Sequence, residues 1–144
     1  MIASKCLHSF TFQSLAVKIG VNVDFQKWSG NPILQFYKGA DVFLLTSEFE
    51  GYGMTLIEAA AAGCPVVTTK VGIAKTDLFK NGINSYVCPV GDVDCLAESV
   101  VGLIKNPERL ESFRNKMRED IKTQIISKEE YQEKYVSLLE SLIK

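Results

Sequence analysis

ADVFLLTSEFEGYGMTLIEAAAAGCPVVTT, residues 40–69, decides the fold. It opens on an apolar run, Val42-Phe43-Leu44-Leu45, of a length that suits a buried strand. A polar loop, Ser47 to Gly53, follows. The small-residue run from about Thr55 to Ala62 then reads as a helix, stopped by Gly63. Cys64 and Pro65 lead into a second β-rich run, Val66-Val67-Thr68-Thr69. Strand, glycine-bearing loop, helix and strand in this order make the repeating unit of a parallel sheet.

Seven residues separate Glu50 from Glu58. Glu50 falls in the loop at the carboxyl end of a strand. Glu58 falls one turn inside the helix, so the unit can turn both carboxylates into one crevice. Between them, Gly51 and Gly53 let backbone approach a ligand closely. The first N–H groups of the helix, around Met54 and Thr55, suit an anionic group such as a phosphate. Carboxylates on either side accept hydrogen bonds from hydroxyl groups. A diphosphate flanked by sugars, as in a nucleotide sugar, matches this pattern. Two plainer readings stand beside it. Thr55-Leu56-Ile57-Glu58 fits a capping box, in which Glu58 only satisfies helix-start donors. Glu50, like Glu48, can be a solvated loop carboxylate, and the glycines simple turn residues.

With its flanks GADVFLLTSEFEG and NGINSYVCPVGDVDCLAESV, the segment EGYGMTLIEAAAAGCPVV resembles the E-x7-E region of retaining glycosyltransferases of GT-B fold, the group 1 or family 4 type. The resemblance spans roughly residues 7–143. It implies an α/β fold: a Rossmann-like parallel sheet with helices on both faces, the C-terminal half of a GT-B enzyme. It implies sugar transfer in glycan biosynthesis from a nucleotide diphosphate sugar to an acceptor, with retention, needing neither metal nor other cofactor. Glu50 would act at the donor sugar as the catalytic carboxylate, and Glu58 would hold the ribose. Gly51, Gly53, Met54 and Thr55 would complete the donor site. Lys27 and Trp28 would border the nucleotide base, although the family usually carries a glycine near Lys27. Trp28 suits stacking on a base and equally packing on the next helix. Lys70 and Lys75, in the loop after Thr69, suit a phosphate or simply solvent. That loop holds Ile73, Ala74 and Asp77 where the family often has glycine and glutamate, so sugar selection is expected to differ.

The family's acceptor domain and its diphosphate-neutralising Arg/Lys pair precede the position of Met1, as does the first strand of its donor domain. The expectation is therefore one nucleotide-sugar-binding domain, 1–144, truncated at its N-terminus, whose acceptor domain is supplied in cis or in trans. Any membrane association would run through that acceptor domain. A non-catalytic nucleotide-sugar-binding subunit and a GT-B-fold nucleotide-sugar epimerase are the alternatives. An epimerase needs acid/base groups at the sugar, and no histidine or paired acids are placed for that.

Composition agrees with one core: 144 residues, 47% hydrophobic and 23% charged. A net charge of −1 gives no electrostatic reason to expect nucleic acid. No run is long and apolar enough to cross a bilayer, and the first ten residues lack the apolar core of a signal peptide. The four cysteines, 6, 64, 88 and 95, form no C-x-x-C pair. Cys64 and Cys88 read as buried thiols, and a reducing cytoplasm as the setting.

The remaining elements read in order. Residues 7–19 predict a helix ended by Gly20, with His8 at its start as a surface or capping residue. Residues 21–25 predict a strand. Asn31 and Pro32 open a helix to about Lys38. Asn81-Gly82 is a turn and Ser85–Cys88 a strand. Asp92 and Asp94 could hold a metal, but they precede a helix with Leu96, Val100, Leu103 and Ile104 on one face, and capping explains both. Pro107 opens a charged helix to about 124. Ser127-Lys128-Glu129-Glu130 is a second capping box. The last helix carries a stripe of Tyr131, Tyr135, Leu138, Leu139 and Leu142, read as core or in part as a contact with another domain.

Overall fold

The computed structural model describes residues 2–3, 32–124 and 126–143. The helix expected at 7–19, the strand at 21–25, His8, the base-loop residues Lys27 and Trp28, and the Asn31 cap lie outside the described residues. In chain order the elements are β1 (Ile2–Ala3), α1 (Pro32–Gly39), β2 (Val42–Leu45), α2 (Met54–Ala61), β3 (Val66–Thr69), a 3-10 turn (Gly72–Lys75), β4 (Ser85–Cys88), α3 (Val93–Ile104), α4 (Pro107–Lys122) and α5 (Lys128–Leu142).

The strands form one four-stranded sheet in the order β1-β2-β3-β4. Every pairing is parallel, with Phe43 opposite Val66, Leu45 opposite Thr68 and Val67 opposite Tyr86. The short strand at Ile2–Ala3 lies where the sequence suggested no element. The other three strands occupy the apolar runs read from the sequence.

The two-residue side-chain period of a strand sorts the core into two halves. Phe43, Leu45 and Val66 face one way, onto Tyr37 of α1, Leu56, Ala59 and Ala60 of α2, and Met117 and Ile121 of α4. Val42, Val67 and Cys88 face the other way, onto Leu96, Val100 and Leu103 of α3 and Phe113 of α4. Helices therefore cover both faces, which is why β2 is apolar throughout and β3 buries all four of its residues, Thr68 and Thr69 included.

Caps fix where the helices start. Asp92 accepts from the Cys95 N–H at 2.9 Å, and Asn106 accepts from the Arg109 N–H at 3.0 Å ahead of Pro107. Ser127 accepts from the Glu130 N–H at 3.0 Å, while the Glu130 carboxylate pairs with Lys134. Asn84 staples β4 to α4. Its buried amide donates to the Leu78 carbonyl and to Asp120, and its oxygen accepts from the Lys80 N–H.

Three expectations are corrected. Cys88 is bonded to Cys95, closing a loop of sequence separation 7 around Pro89–Asp94. It is no free thiol, and cysteine usage no longer speaks for a reducing compartment. Only Cys64 is a buried free thiol among the described residues, and burial pushes it up to about 11. Second, Ile104 lies on the solvent side of α3, since α4 follows after two residues and covers Leu103 instead. Third, the α5 stripe is exposed. Leu142 is 73% accessible, and α5 buries no residue, because no described element packs upon it.

Candidate functional site

The loop between β2 and α2 is held from below by the segment that leaves β3. Thr69 donates its hydroxyl to the Ser47 carbonyl at 2.5 Å, and the Ile73 N–H donates to the Tyr52 carbonyl at 2.7 Å. Gly72 makes this approach possible. Its φ is +48°, and a Cβ built there would stand 2.5 Å from the Tyr52 carbonyl oxygen and 3.1 Å from Glu50 Cβ. No side chain fits between the two loops.

Glu50 is half-buried at the centre of this arrangement. Ser47 donates its hydroxyl to Glu50 Oε1 at 2.7 Å. Glu48 is exposed. Gly51 has ordinary φ and open space around it, so the fold itself does not ask for glycine there. Gly53 differs: its φ of +89° is left-handed, and a Cβ would come within 3.2 Å of Leu56 Cδ1.

That left-handed glycine is the N-cap of α2, and no side chain caps the helix. The Leu56 N–H turns back to the Gly53 carbonyl at 2.9 Å, while Met54 and Thr55 supply the first helical N–H groups. Donors at a helix start carry the positive end of the helix dipole. Phe49, Tyr52 and Met54 stand exposed around this start.

The capping box suggested for Thr55 and Glu58 does not form. The helix begins at Met54, which places Thr55 inside the first turn and Glu58 beyond reach of the cap position. Glu58 is instead half-buried and accepts a hydrogen bond from the Tyr37 hydroxyl of α1 at 3.2 Å. Tyr37 is 3% accessible. Burial first, then the Glu58 charge and their hydrogen bond, hold its phenol well above the usual phenolic range, so it stays a proton donor.

The fold thus sets Glu50 in the loop before α2 and Glu58 on α2 itself, with the uncapped helix start between them in sequence. Lys70 and Lys75 are exposed on the segment after β3. Asp92 and Asp94 stand at the start of α3, Asp92 as its cap. Among the described residues no group of three metal-ligating side chains occurs. Among the described residues no helix is long and apolar enough to cross a membrane. A shallow hollow of about 510 Å³ lies elsewhere, between the Gly82–Ile83 turn and α4, and includes neither glutamate.

Sequence reasoning missed Ser47, Tyr37, Thr69 and Gly72 as parts of the site. Ser47 had a local signal, a hydroxyl three residues before Glu50. Tyr37 had none, being 21 residues from its partner in a run that reads simply as an amphipathic helix.

The model of the family described as "Glycosyl transferases group 1" matches residues 7–122. The N-acetyl-alpha-D-glucosaminyl L-malate synthase of Bacillus anthracis is 34% identical over 103 residues, 72% of this chain and 26% of that protein. The chain therefore spans about a quarter of that relative's length. Two solved structures share the fold at 21% identity. Anabaena HepE in complex with UDP superposes with a TM-score of 0.77, over 91% of this chain and 36% of that one. The C-terminal domain of the Francisella tularensis group 1 protein LpcC superposes with a TM-score of 0.71, over 80% of this chain and 60% of that one.

Proposed function

This chain belongs to the group 1 glycosyltransferase family, and from that premise we propose that it is the donor-binding part of an enzyme that moves a sugar from a nucleotide diphosphate sugar to an acceptor with retention. The observation that carries the proposal is the α2 start: a helix opened by a left-handed glycine, with no side-chain cap, between two half-buried carboxylates each held by one hydroxyl donor. A helix start left open by its own chain is a place for an anion.

In this reading the Met54 and Thr55 N–H groups, the Gly53 backbone and the Thr55 hydroxyl meet the diphosphate. Glu58 accepts from the ribose hydroxyls, with Tyr37 occupying one side of one carboxylate oxygen. Glu50 accepts from the donor sugar and, being anionic, favours positive charge developing at the anomeric carbon as the bond to the diphosphate breaks. Gly51 leaves room for the sugar to lie against backbone. The work of the site is positioning and charge stabilisation, and the reading requires no metal. In this scheme acceptor recognition belongs to a further domain, in cis or in trans.

The Glu58→Gln variant tests it. Glutamine keeps the length and an oxygen that Tyr37 can donate to, but replaces a charged acceptor with an amide donor. Charge-assisted hydrogen bonds contribute about 1.5–3 kcal/mol, so UDP or GDP affinity measured by calorimetry should fall about ten-fold or more. Melting should be nearly unchanged. Equal nucleotide affinity in the variant would refute the role given to Glu58.

A further inference from the structure

We infer that Tyr37 is a positioning residue for nucleotide recognition: its buried hydroxyl fixes which face of the Glu58 carboxylate is presented, and so sets the preference for ribose over deoxyribose. This rests on the assignment of Glu58 to the ribose.

The geometry is specific. Leu56, Ala59 and Ala60 are fully buried, so the backbone that carries Glu58 is fixed, yet a glutamate side chain has three further torsions to settle. Tyr37 settles them. Its ring is pinned edge-on against Phe43, centroids 5.4 Å apart at 85°, and its hydroxyl reaches Glu58 Oε2 at 3.2 Å. Both rings, Tyr37 on α1 and Phe43 on β2, are buried in the same core cluster. A phenol on one oxygen leaves the second oxygen, and one lone pair of the first, for a vicinal diol. The phenol stays protonated, so its hydrogen remains available to hold the carboxylate. Without it, the carboxylate has to be ordered by the ligand itself, and affinity falls.

A double-mutant cycle on the 144-residue chain tests this, with UDP and GDP and their 2′-deoxy counterparts as probes. Tyr37→Phe keeps the ring and its contact with Phe43. In the wild-type background it should weaken the ribonucleotide about five-fold, the effect of having to order one freed side chain on binding. It should weaken the deoxynucleotide much less, lowering the ribose-to-deoxyribose affinity ratio. In the Glu58→Gln background the same change should alter neither affinity by more than about two-fold, since no carboxylate remains to be oriented. The affinity ratio within one variant is unaffected by a partly unfolded population, which scales both affinities alike. Lowered stability therefore does not obscure the result.

Equal weakening of ribo- and deoxynucleotide by Tyr37→Phe overturns the inference, because it marks a purely structural tyrosine. Equal weakening in both backgrounds overturns it too. If Glu58→Gln weakens binding while Tyr37→Phe does not, the inference fails and the Glu58 assignment stands. If Glu58→Gln binds like wild type, or wild type binds neither nucleotide at millimolar concentration, both fail.

Discussion

Gly72→Ala should damage this protein more than any other glycine-to-alanine change whose cost is confined to the turn itself, and Gly82→Ala is the matched control. Both glycines have left-handed φ, +48° and +75°. An alanine in that region costs about 1–2 kcal/mol at either position. At Gly82 nothing lies within 4 Å of the new methyl, so the cost ends there. At Gly72 the methyl would be 2.5 Å from the Tyr52 carbonyl oxygen and 2.9 Å from its carbon. These are backbone atoms, and that oxygen already accepts from the Ile73 N–H at 2.7 Å. Relieving the overlap means moving the loop and stretching the bond, about 1–3 kcal/mol of overpacking with up to about 1 kcal/mol of hydrogen bonding. The steric difference between the two variants is then about 1–4 kcal/mol. With a urea m-value of about 2 kcal/mol/M, the denaturation midpoint of Gly72→Ala should lie about 0.5–2 M below that of Gly82→Ala. Nucleotide affinity should fall in Gly72→Ala alone, because the displaced loop holds Glu50. Coincident midpoints would show that the loops are not in contact through Gly72, and the description of the site from below would be wrong.

Asp92→Ala should cost about 0.5–2 kcal/mol in urea unfolding through the lost cap on Cys95, with EDTA changing neither stability nor nucleotide binding; manganese stabilisation that vanishes in the variant would contradict the capping role. The tryptic peptide 81–105 carries both Cys88 and Cys95, so it should resist alkylation in denaturant and gain two alkyl groups only after reduction. Reduction should also lower stability by about 2–3 kcal/mol, by the chain-entropy scaling for so short a loop. Asp120 is held below the usual carboxylate range, first by the hydrogen bond from Lys80 and then by that from Asn84. A carboxyl with a depressed folded pKa stabilises above its unfolded value and loses that contribution as pH falls through the folded one. The advantage of wild type over Asp120→Asn, at most about 1 kcal/mol for this partly exposed pair, should therefore be present at pH 5 and shrink below pH 4; a pH-independent difference in urea midpoints would disprove it.

Local pattern alone determined much of this protein. The runs Val42–Leu45, Val66–Thr69 and Ser85–Cys88 placed β2, β3 and β4 to the residue, since apolar, aromatic and β-branched side chains suit a strand packed on both faces. Asp92, Ser127 and Pro107 marked helix starts because capping is settled within four residues of chain. The order of strand, EGYG loop, helix and strand carried the fold class, and with it the family. Tertiary structure decided what depends on partners far away in sequence. Thr55 and Glu58 have the spacing of a capping box, but Gly53 takes the cap position, and Tyr37, brought by α1, takes the hydroxyl bond to Glu58. Cys88 and Cys95 look like two unrelated thiols until the turn through Gly91 sets the end of β4 against the first turn of α3. The stripe on α5 has a period that fits a buried helix, yet periodicity says only that one face is apolar. What covers that face is a property of neighbouring elements, and the described residues supply none.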